Sequence, residues 1–115
     1  MHSQTIPAEQ WTIFLDQFSR NYAGWPVTIE MVQGTTETKL AAEKLPLQGI
    51  SFDTKGTRPS SIEISVGSES TAHVSHVVDL PLHIRSHEDH NGNIHLQIEP
   101  ADGPPTLIHL QAPLH

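Results

Sequence analysis

The strongest constraint on the fold is a change of hydrophobic period near residue 24. Between residues 7 and 22 the apolar side chains recur at helical spacing, in a stripe that consists of Trp11, Phe14, Leu15, Phe18 and Tyr22. Gly24 and Pro26 are typical of the end of a helix. Apolar and polar residues then alternate almost to the end of the chain. The sequence therefore predicts one amphipathic helix over about 7–22, followed by a β-region over about 25–111.

The alternation in the β-region divides into six to eight short strands. Turn sequences separate nearly every pair of segments, among them residues 34–36, residues 54–57 and Asp102-Gly103, and Asn91-Gly92 is the strongest hairpin signal. Pro46 and Pro81 indicate an interruption, an edge strand or a bulge. The predicted strands cover 25–32, 39–47, 50–53, 61–66, 74–78, 82–84, 94–99 and 106–111. The segment 39–47 has the weaker pattern, and Ile50 and Phe52 continue the strand character to Asp53.

The order of these elements predicts the fold class. After the first helical segment there is no helix to connect parallel strands, so the sheet should be antiparallel. We expect an α+β fold in which the N-terminal helix packs on a strongly bent β-meander or a small, partly open β-barrel. A flat two-layer arrangement, with the helix across one face of the sheet, is the alternative. The length of 115 residues fits a single domain over 1–115.

Charge and composition exclude several classes of function. Thirteen acidic and six basic side chains give a net charge of −7, which argues against binding nucleic acid or an anionic membrane. No apolar run approaches the roughly 18 residues of a membrane span. Residues 1–7 lack the features of a signal peptide, so a cytoplasmic location is expected. The absence of cysteine excludes disulfides, thiolate metal sites and cysteine nucleophiles.

Several short blocks of the sequence stand out, and they are Phe18-Ser19-Arg20, Gly24-Trp25-Pro26-Val27, residues 45–50, His76-Val77-Val78 with Pro81, residues 96–99, Asp102-Gly103 and Thr106-Leu107-Ile108. Together these blocks resemble a small bacterial family known only by a domain-of-unknown-function label. The resemblance extends from about residue 11 to 110, and it implies no activity, cofactor, partner or site residue. Asn21-Tyr22 departs from it, because a histidine is associated with the position before the Gly-Trp element.

Histidine is the residue type that most suggests chemistry. Five of the nine histidines fall between 76 and 95. Imidazole nitrogens are common zinc ligands, and a site needs three or four ligands around one point. The candidate metal ligands are His83, His87, His90 and His95, and a tight Asn91-Gly92 hairpin would make His83 and His95 cross-strand neighbours. No HxH or HExxH spacing supports such a site. Scattered surface imidazoles are therefore the favoured interpretation, and no cofactor is predicted.

Evidence for catalysis is weaker still. Ser75, His76 and Asp79 are close in sequence, but successive strand residues point to opposite faces. There is no Gly-x-Ser-x-Gly elbow and no phosphate-binding loop. Glu88-Asp89 fits a pair of solvated turn carboxylates. Tyr22 and Trp25 either line a pocket between helix and sheet or pack into the core, and the core interpretation is preferred.

Three classes of function follow, in order of preference. The first is a non-enzymatic interaction or structural module, possibly a homodimer, that uses a sheet edge or an outer sheet face. Val32, Val77 and Leu107 lie on otherwise polar faces and would mark the contact with an unknown protein partner or a second copy. The second is a small-ligand or metal-binding protein that uses the histidine-rich hairpin 76–95. The third is a small hydrolase.

Overall fold

The computed structural model describes residues 2–33, 37–53 and 60–112, so the turns predicted at 34–36 and 54–57 lie outside the described residues. No helix in these ranges is long and apolar enough to cross a lipid bilayer. The elements are β1 (His2–Ile6), a short 3₁₀ turn (Ala8–Gln10), α1 (Trp11–Asn21), β2 (Pro26–Gln33), β3 (Glu37–Asp53), β4 (Ser61–Val66), β5 (Val74–Asp79), β6 (Pro81–Glu88), β7 (Ile94–Pro100) and β8 (Thr106–Leu110).

The strands form one eight-stranded antiparallel sheet, which confirms the predicted fold class. The order across the sheet is β1-β6-β7-β8-β2-β3-β4-β5. Leu80 alone connects β5, the last strand of this order, to β6, the second, and it has a φ of 52°. A one-residue connection brings the two ends of the sheet together, so the sheet must curl. Among the described residues β5 pairs in the sheet only with β4, so the curled sheet stays partly open.

The bend of the sheet lies in β3, which is a single strand of 17 residues rather than two short ones. Its first half pairs with β2 and its second half with β4. Pro46 does not interrupt it, because Pro46 faces Pro26 across the ladder and neither ring has an N–H to leave unpaired. A register shift follows between Leu47 and Gly49, as predicted for a bulge, but β3 is an interior strand and not an edge.

The helix covers the interior of the bent sheet along its predicted stripe. Trp11, Leu15 and Phe18 are buried, while Phe14 and Tyr22 are partly buried against the same core. Ser19 of the same helix is partly buried. Its hydroxyl oxygen accepts a hydrogen bond from Ile50 N–H (2.8 Å), and its single proton lies between the carbonyl oxygens of Leu15 (2.8 Å) and Ile50 (3.0 Å), which share it as acceptors. The serine therefore attaches the helix to β3.

Strand β1 was not predicted from the sequence. It pairs with the edge of β6, from His2 opposite Glu88 to Ile6 opposite Ile84. Ile6 is its only described residue that reaches the core, so the segment shows no apolar alternation. The strand forms because the edge of β6 offers unpaired backbone N–H and C=O groups. Since β6 is distant in sequence, this pairing leaves no pattern in residues 2–6.

Candidate functional site

Three imidazoles lie side by side on the outer face of the sheet, and we call them the imidazole row: His87, His95 and His109. His87 of β6 is directly opposite His95 of β7, and His95 is directly opposite His109 of β8. The ring centroids are 5.9 Å apart for the first pair and 5.0 Å for the second. Buried neighbours such as Leu96 and Ile108 point to the other face, so the alternation of each strand places its histidine outward.

His95 is fixed from both sides by hydrogen bonds. Its Nε2 lies 3.0 Å from Asp89 Oδ2, and a carboxylate only accepts, so Nε2 carries a proton. Its Nδ1 lies 2.8 Å from His109 Nδ1. In a neutral His95 this Nδ1 is an acceptor, so His109 Nδ1–H donates to it. The bond from His95, with backbone N–H groups of Asn91 and Asn93, holds the pKa of Asp89 at about 2.

His109 ends the hydrogen-bonded series beside a second carboxylate. Its Nε2 lies 3.8 Å from Glu30 Oε2 on β2. Burial lowers the pKa of His109, the charge of Glu30 acts in the opposite direction, and His95 lowers it further. Both rings of the His95–His109 pair therefore have Nε2 beside a carboxylate and Nδ1 facing the other ring.

A groove of about 350 Å³ runs along the imidazole row, and we call it the outer groove. Arg85 contributes a guanidinium whose side chain is more than half exposed and lies 3.5 Å from Glu99. Of the described residues that line the groove, none is acidic, although the chain as a whole is strongly acidic. The lining consists of Ser3, Arg85, Ser86, His87, His95, Leu96, Gln97, Leu107 and His109.

The structure separates the four predicted metal ligands. It brings His87 and His95 together, but it places His83 opposite Glu99 and His90 in the exposed turn. The expected pairing of His83 with His95 was wrong, because the register of β6 against β7 places His95 opposite His87, and even a two-residue turn at Asn91-Gly92 would place His83 opposite Pro100. In the described parts of the chain, no three or more His, Asp or Glu side chains are arranged to hold a metal ion.

His109 is the site residue that sequence reasoning missed. His109 lies seven residues after Asp102, and His95 lies seven residues before Asp102. The predicted Asp102-Gly103 turn is present, with Gly103 at a φ of 108°. A hairpin centred on that turn places the two histidines opposite each other, so the signal was available in the spacing.

The residues considered for hydrolysis do not form a triad. His76 is partly buried, and its Nε2 lies 3.2 Å from Thr106 Oγ1, while the next residue back, Ser75, points to the other face and is exposed. The outer face has a serine–histidine contact, Ser3 Oγ to His87 Nδ1 at 2.7 Å. The hydrogen bond from Asp89, however, goes to the next histidine, His95. Serine and carboxylate thus act on different rings.

A second cleft lies on the inner side, between the helix and the β1–β6 edge. It has a volume of about 180 Å³, and Tyr22 and Glu88 are among its lining residues. Burial, with a smaller contribution from Glu88, raises the pKa of Tyr22. Trp25 packs edge-on against Tyr22, with centroids 4.8 Å apart, and both rest on the core. The preferred core interpretation holds for Trp25, whereas Tyr22 also reaches the cleft.

Comparisons with known proteins identify a family but no activity. An uncharacterized protein of Aquifex aeolicus (strain VF5) is 34% identical over 55 residues, which are 48% of this chain and 50% of that protein. The chain therefore spans about half the length of this curated relative. No solved structure gives a significant match. The sequence model of a family of unknown function, DUF5335, matches residues 2–115, and the chain belongs to that family, which confirms the resemblance drawn from its sequence blocks.

Proposed function

We propose that the protein is a non-enzymatic binding module whose outer groove binds a small organic anion. The observation that carries this proposal is the composition of the groove in a chain of net charge −7. Its described lining holds one arginine and three histidines and no carboxylate. The carboxylates of Glu99, Asp89 and Glu30 contact Arg85, His95 and His109 from outside this lining, so the charged side chain that a ligand in the groove meets is the guanidinium of Arg85.

The geometry of the groove suggests how the anion is held. Arg85 presents a planar pair of N–H donors that match a carboxylate. Its present partner is Glu99, and the distance of 3.5 Å between Arg85 Nη1 and Glu99 Oε1 is too long for a strong hydrogen bond. Gln97 also donates to Glu99, at 3.3 Å. An incoming anion would compete with Glu99 for both donors. Leu107 adds an apolar surface, so a carboxylate on a flat apolar group fits better than a small hydrophilic ion.

The same geometry supports binding rather than catalysis. Nucleophilic catalysis needs one histidine that contacts both a hydroxyl and an orienting carboxylate. On this face Ser3 contacts His87 and Asp89 contacts His95. The two rings are tilted by 34° with centroids 5.9 Å apart, so no proton passes directly from the serine to the Asp89-bound ring.

A titration with benzoate followed by amide NMR shifts tests the proposal, with benzylamine as the matched cationic ligand. We expect shifts at Ser3, Arg85, Gln97 and Leu107 with benzoate, and much smaller shifts with benzylamine. Arg85→Gln should weaken binding by at least about tenfold, which corresponds to a charge-assisted hydrogen bond. Equal binding of both ligands, or shifts confined to the helix cleft, would refute the proposal.

Two further variants control for general charge effects. Glu99→Gln removes the internal competitor of the anion, so it should tighten benzoate binding. Arg20→Gln removes the same charge as Arg85→Gln, but at an exposed helix position where Arg20 pairs with Asp16 at 3.1 Å. It should leave binding unchanged. If Arg20→Gln weakens binding as much as Arg85→Gln, net charge and not the groove is responsible.

A second candidate function is an interaction module that forms a homodimer. One apolar corner of the sheet surface favours it. Val77, Leu80 and Leu82 are 47%, 44% and 55% exposed around the junction of β5 and β6. Of the predicted contact residues, Val77 belongs to this corner, while Val32 and Leu107 are only partly exposed elsewhere. Sedimentation of wild type and Leu82→Glu, with Ile13→Glu as the exposed control, tests it. A monomer at all concentrations contradicts the homodimer.

A bacterial origin and a cytoplasmic location complete the proposal. The Aquifex relative supports the first. Cell fractionation with an antibody against the chain tests the second, and recovery outside the cytoplasmic fraction would contradict it.

A further inference from the structure

We propose that His95 and His109 form a bidentate site for a divalent transition-metal ion, bound between their two Nδ1 atoms. The two nitrogens face each other at 2.8 Å on adjacent strands. His95 and His109 also line the outer groove, but this inference does not require the anion proposal, because it depends on the facing Nδ1 atoms of the imidazole pair and not on Arg85. It also differs from the histidine set first expected from the sequence, since His83 and His90 take no part.

The surroundings of the pair resemble those of metal-binding histidines. A ligating imidazole usually donates its second N–H to a carboxylate, which fixes the tautomer and turns the other lone pair towards the metal. Asp89 Oδ2 lies 3.0 Å from His95 Nε2, and Glu30 Oε2 lies 3.8 Å from His109 Nε2. With both Nε2 atoms protonated, both Nδ1 lone pairs would point at the same space.

The carboxylate beside His95 is itself held in place. Asp89 Oδ1 accepts hydrogen bonds from the backbone N–H groups of Asn91 (2.9 Å) and Asn93 (3.0 Å). The turn between β6 and β7 thus fixes Asp89, and Asp89 fixes the His95 ring. A solvated turn carboxylate, as expected from the sequence, would not make these three contacts at once.

The distances require only a small movement. Zinc–nitrogen bonds are about 2.0–2.1 Å long, so two nitrogens of a tetrahedral site lie about 3.3 Å apart. The two Nδ1 atoms would separate by about half an ångström when an ion replaces the proton between them. Both side chains are about one-third exposed, so an ion can reach them and keep water or an anion from the groove on its other positions. Imidazole donors suit Zn²⁺, Ni²⁺ and Cu²⁺ rather than Mg²⁺ or Ca²⁺.

Calorimetric titration of Zn²⁺ into the full, untagged chain tests the site. All proteins carry His2→Gln and His115→Gln, so that the histidines near the chain ends cannot bind the ion. We expect one ion per chain with a Kd of about 10 μM or tighter. His95→Gln and His109→Gln should each weaken binding by at least about tenfold, and so should Asp89→Asn, the positioning variant. His83→Gln and His90→Gln are the matched controls and should bind like the parent.

Side-chain ¹⁵N NMR identifies the ligating atoms in the parent protein and does not depend on how any variant folds. Zn²⁺ should move the Nδ1 resonances of His95 and His109, leave His95 Nε2 protonated, and transfer the His109 proton from Nδ1 to Nε2, which lies beside Glu30. The proposal is overturned if no binding tighter than about 100 μM occurs, or if the shifted nitrogens belong to other histidines. It is also overturned if loss of His83 or His90 weakens binding as much as loss of the pair. If the protein binds benzoate but not zinc, only the anion proposal stands. If it binds zinc but not benzoate, only the metal-site proposal stands.

Discussion

Ser19→Ala should loosen the attachment of the helix to the sheet. The hydroxyl is the hydrogen-bonding partner of both backbone groups of Ile50, a residue that is only 3% exposed. Alanine leaves the Ile50 N–H without its acceptor, and an unsatisfied buried donor costs about 1–3 kcal/mol. The lost bond to the Ile50 carbonyl adds about 1 kcal/mol at most, because a carbonyl tolerates loss of one donor better. We expect a total loss of about 2–3 kcal/mol in the free energy of unfolding.

Urea denaturation followed by tryptophan fluorescence measures this loss. With a slope of roughly 2 kcal/mol per molar urea for a chain of this size, the midpoint should fall by roughly 1–1.5 M. Thr12→Ala, on the exposed side of the same helix, should change stability by no more than about 0.5 kcal/mol. If Ser19→Ala is as mild as Thr12→Ala, the serine does not hold the helix on β3 and the reasoning fails.

Three further predictions use the same denaturation assay. Gly67→Ala should lower the free energy of unfolding by about 3 kcal/mol, because its φ is 120° and a Cβ would lie 2.2 Å from the Ala72 carbonyl oxygen. Gly103→Ala is the control. It should lower the free energy of unfolding by only about 1–2 kcal/mol, because its φ is also positive but a Cβ there meets nothing within 4 Å. Leu15→Ala, at a buried position, should cost about 2–5 kcal/mol; a loss under 1 kcal/mol would contradict the assigned core. Burial lowers the pKa of His76 below its usual 6.5, so the unfolded chain takes up that proton first and stability should decline as the pH falls below about 6.5. His76→Gln should flatten this decline of the free energy of unfolding with falling pH. An unchanged slope would show that His76 does not cause it.

The helix and most strands were predictable because their pattern is local. A stripe such as Trp11, Leu15 and Phe18 can bury itself in only one way, and the alternation around Ile62 and Ile64 reads directly as a strand. Features that depend on partners distant in sequence were not predictable. Strand β1 exists because β6 has a free edge, and β3 continues through Pro46 because Pro26 lies opposite. Neither reason is visible within the segment itself.

The candidate site follows the same division between local and non-local information. Alternation shows that His95 and His109 point outward, but only the register of β7 against β8 makes them neighbours. That register depends on the length of the Asp102-Gly103 turn, just as the turn at residues 89–93 places His87, and not His83, opposite His95. A shift by one residue would move a histidine to the opposite face. Sequence reasoning therefore finds the residue types of this site, and the turns decide which of them meet.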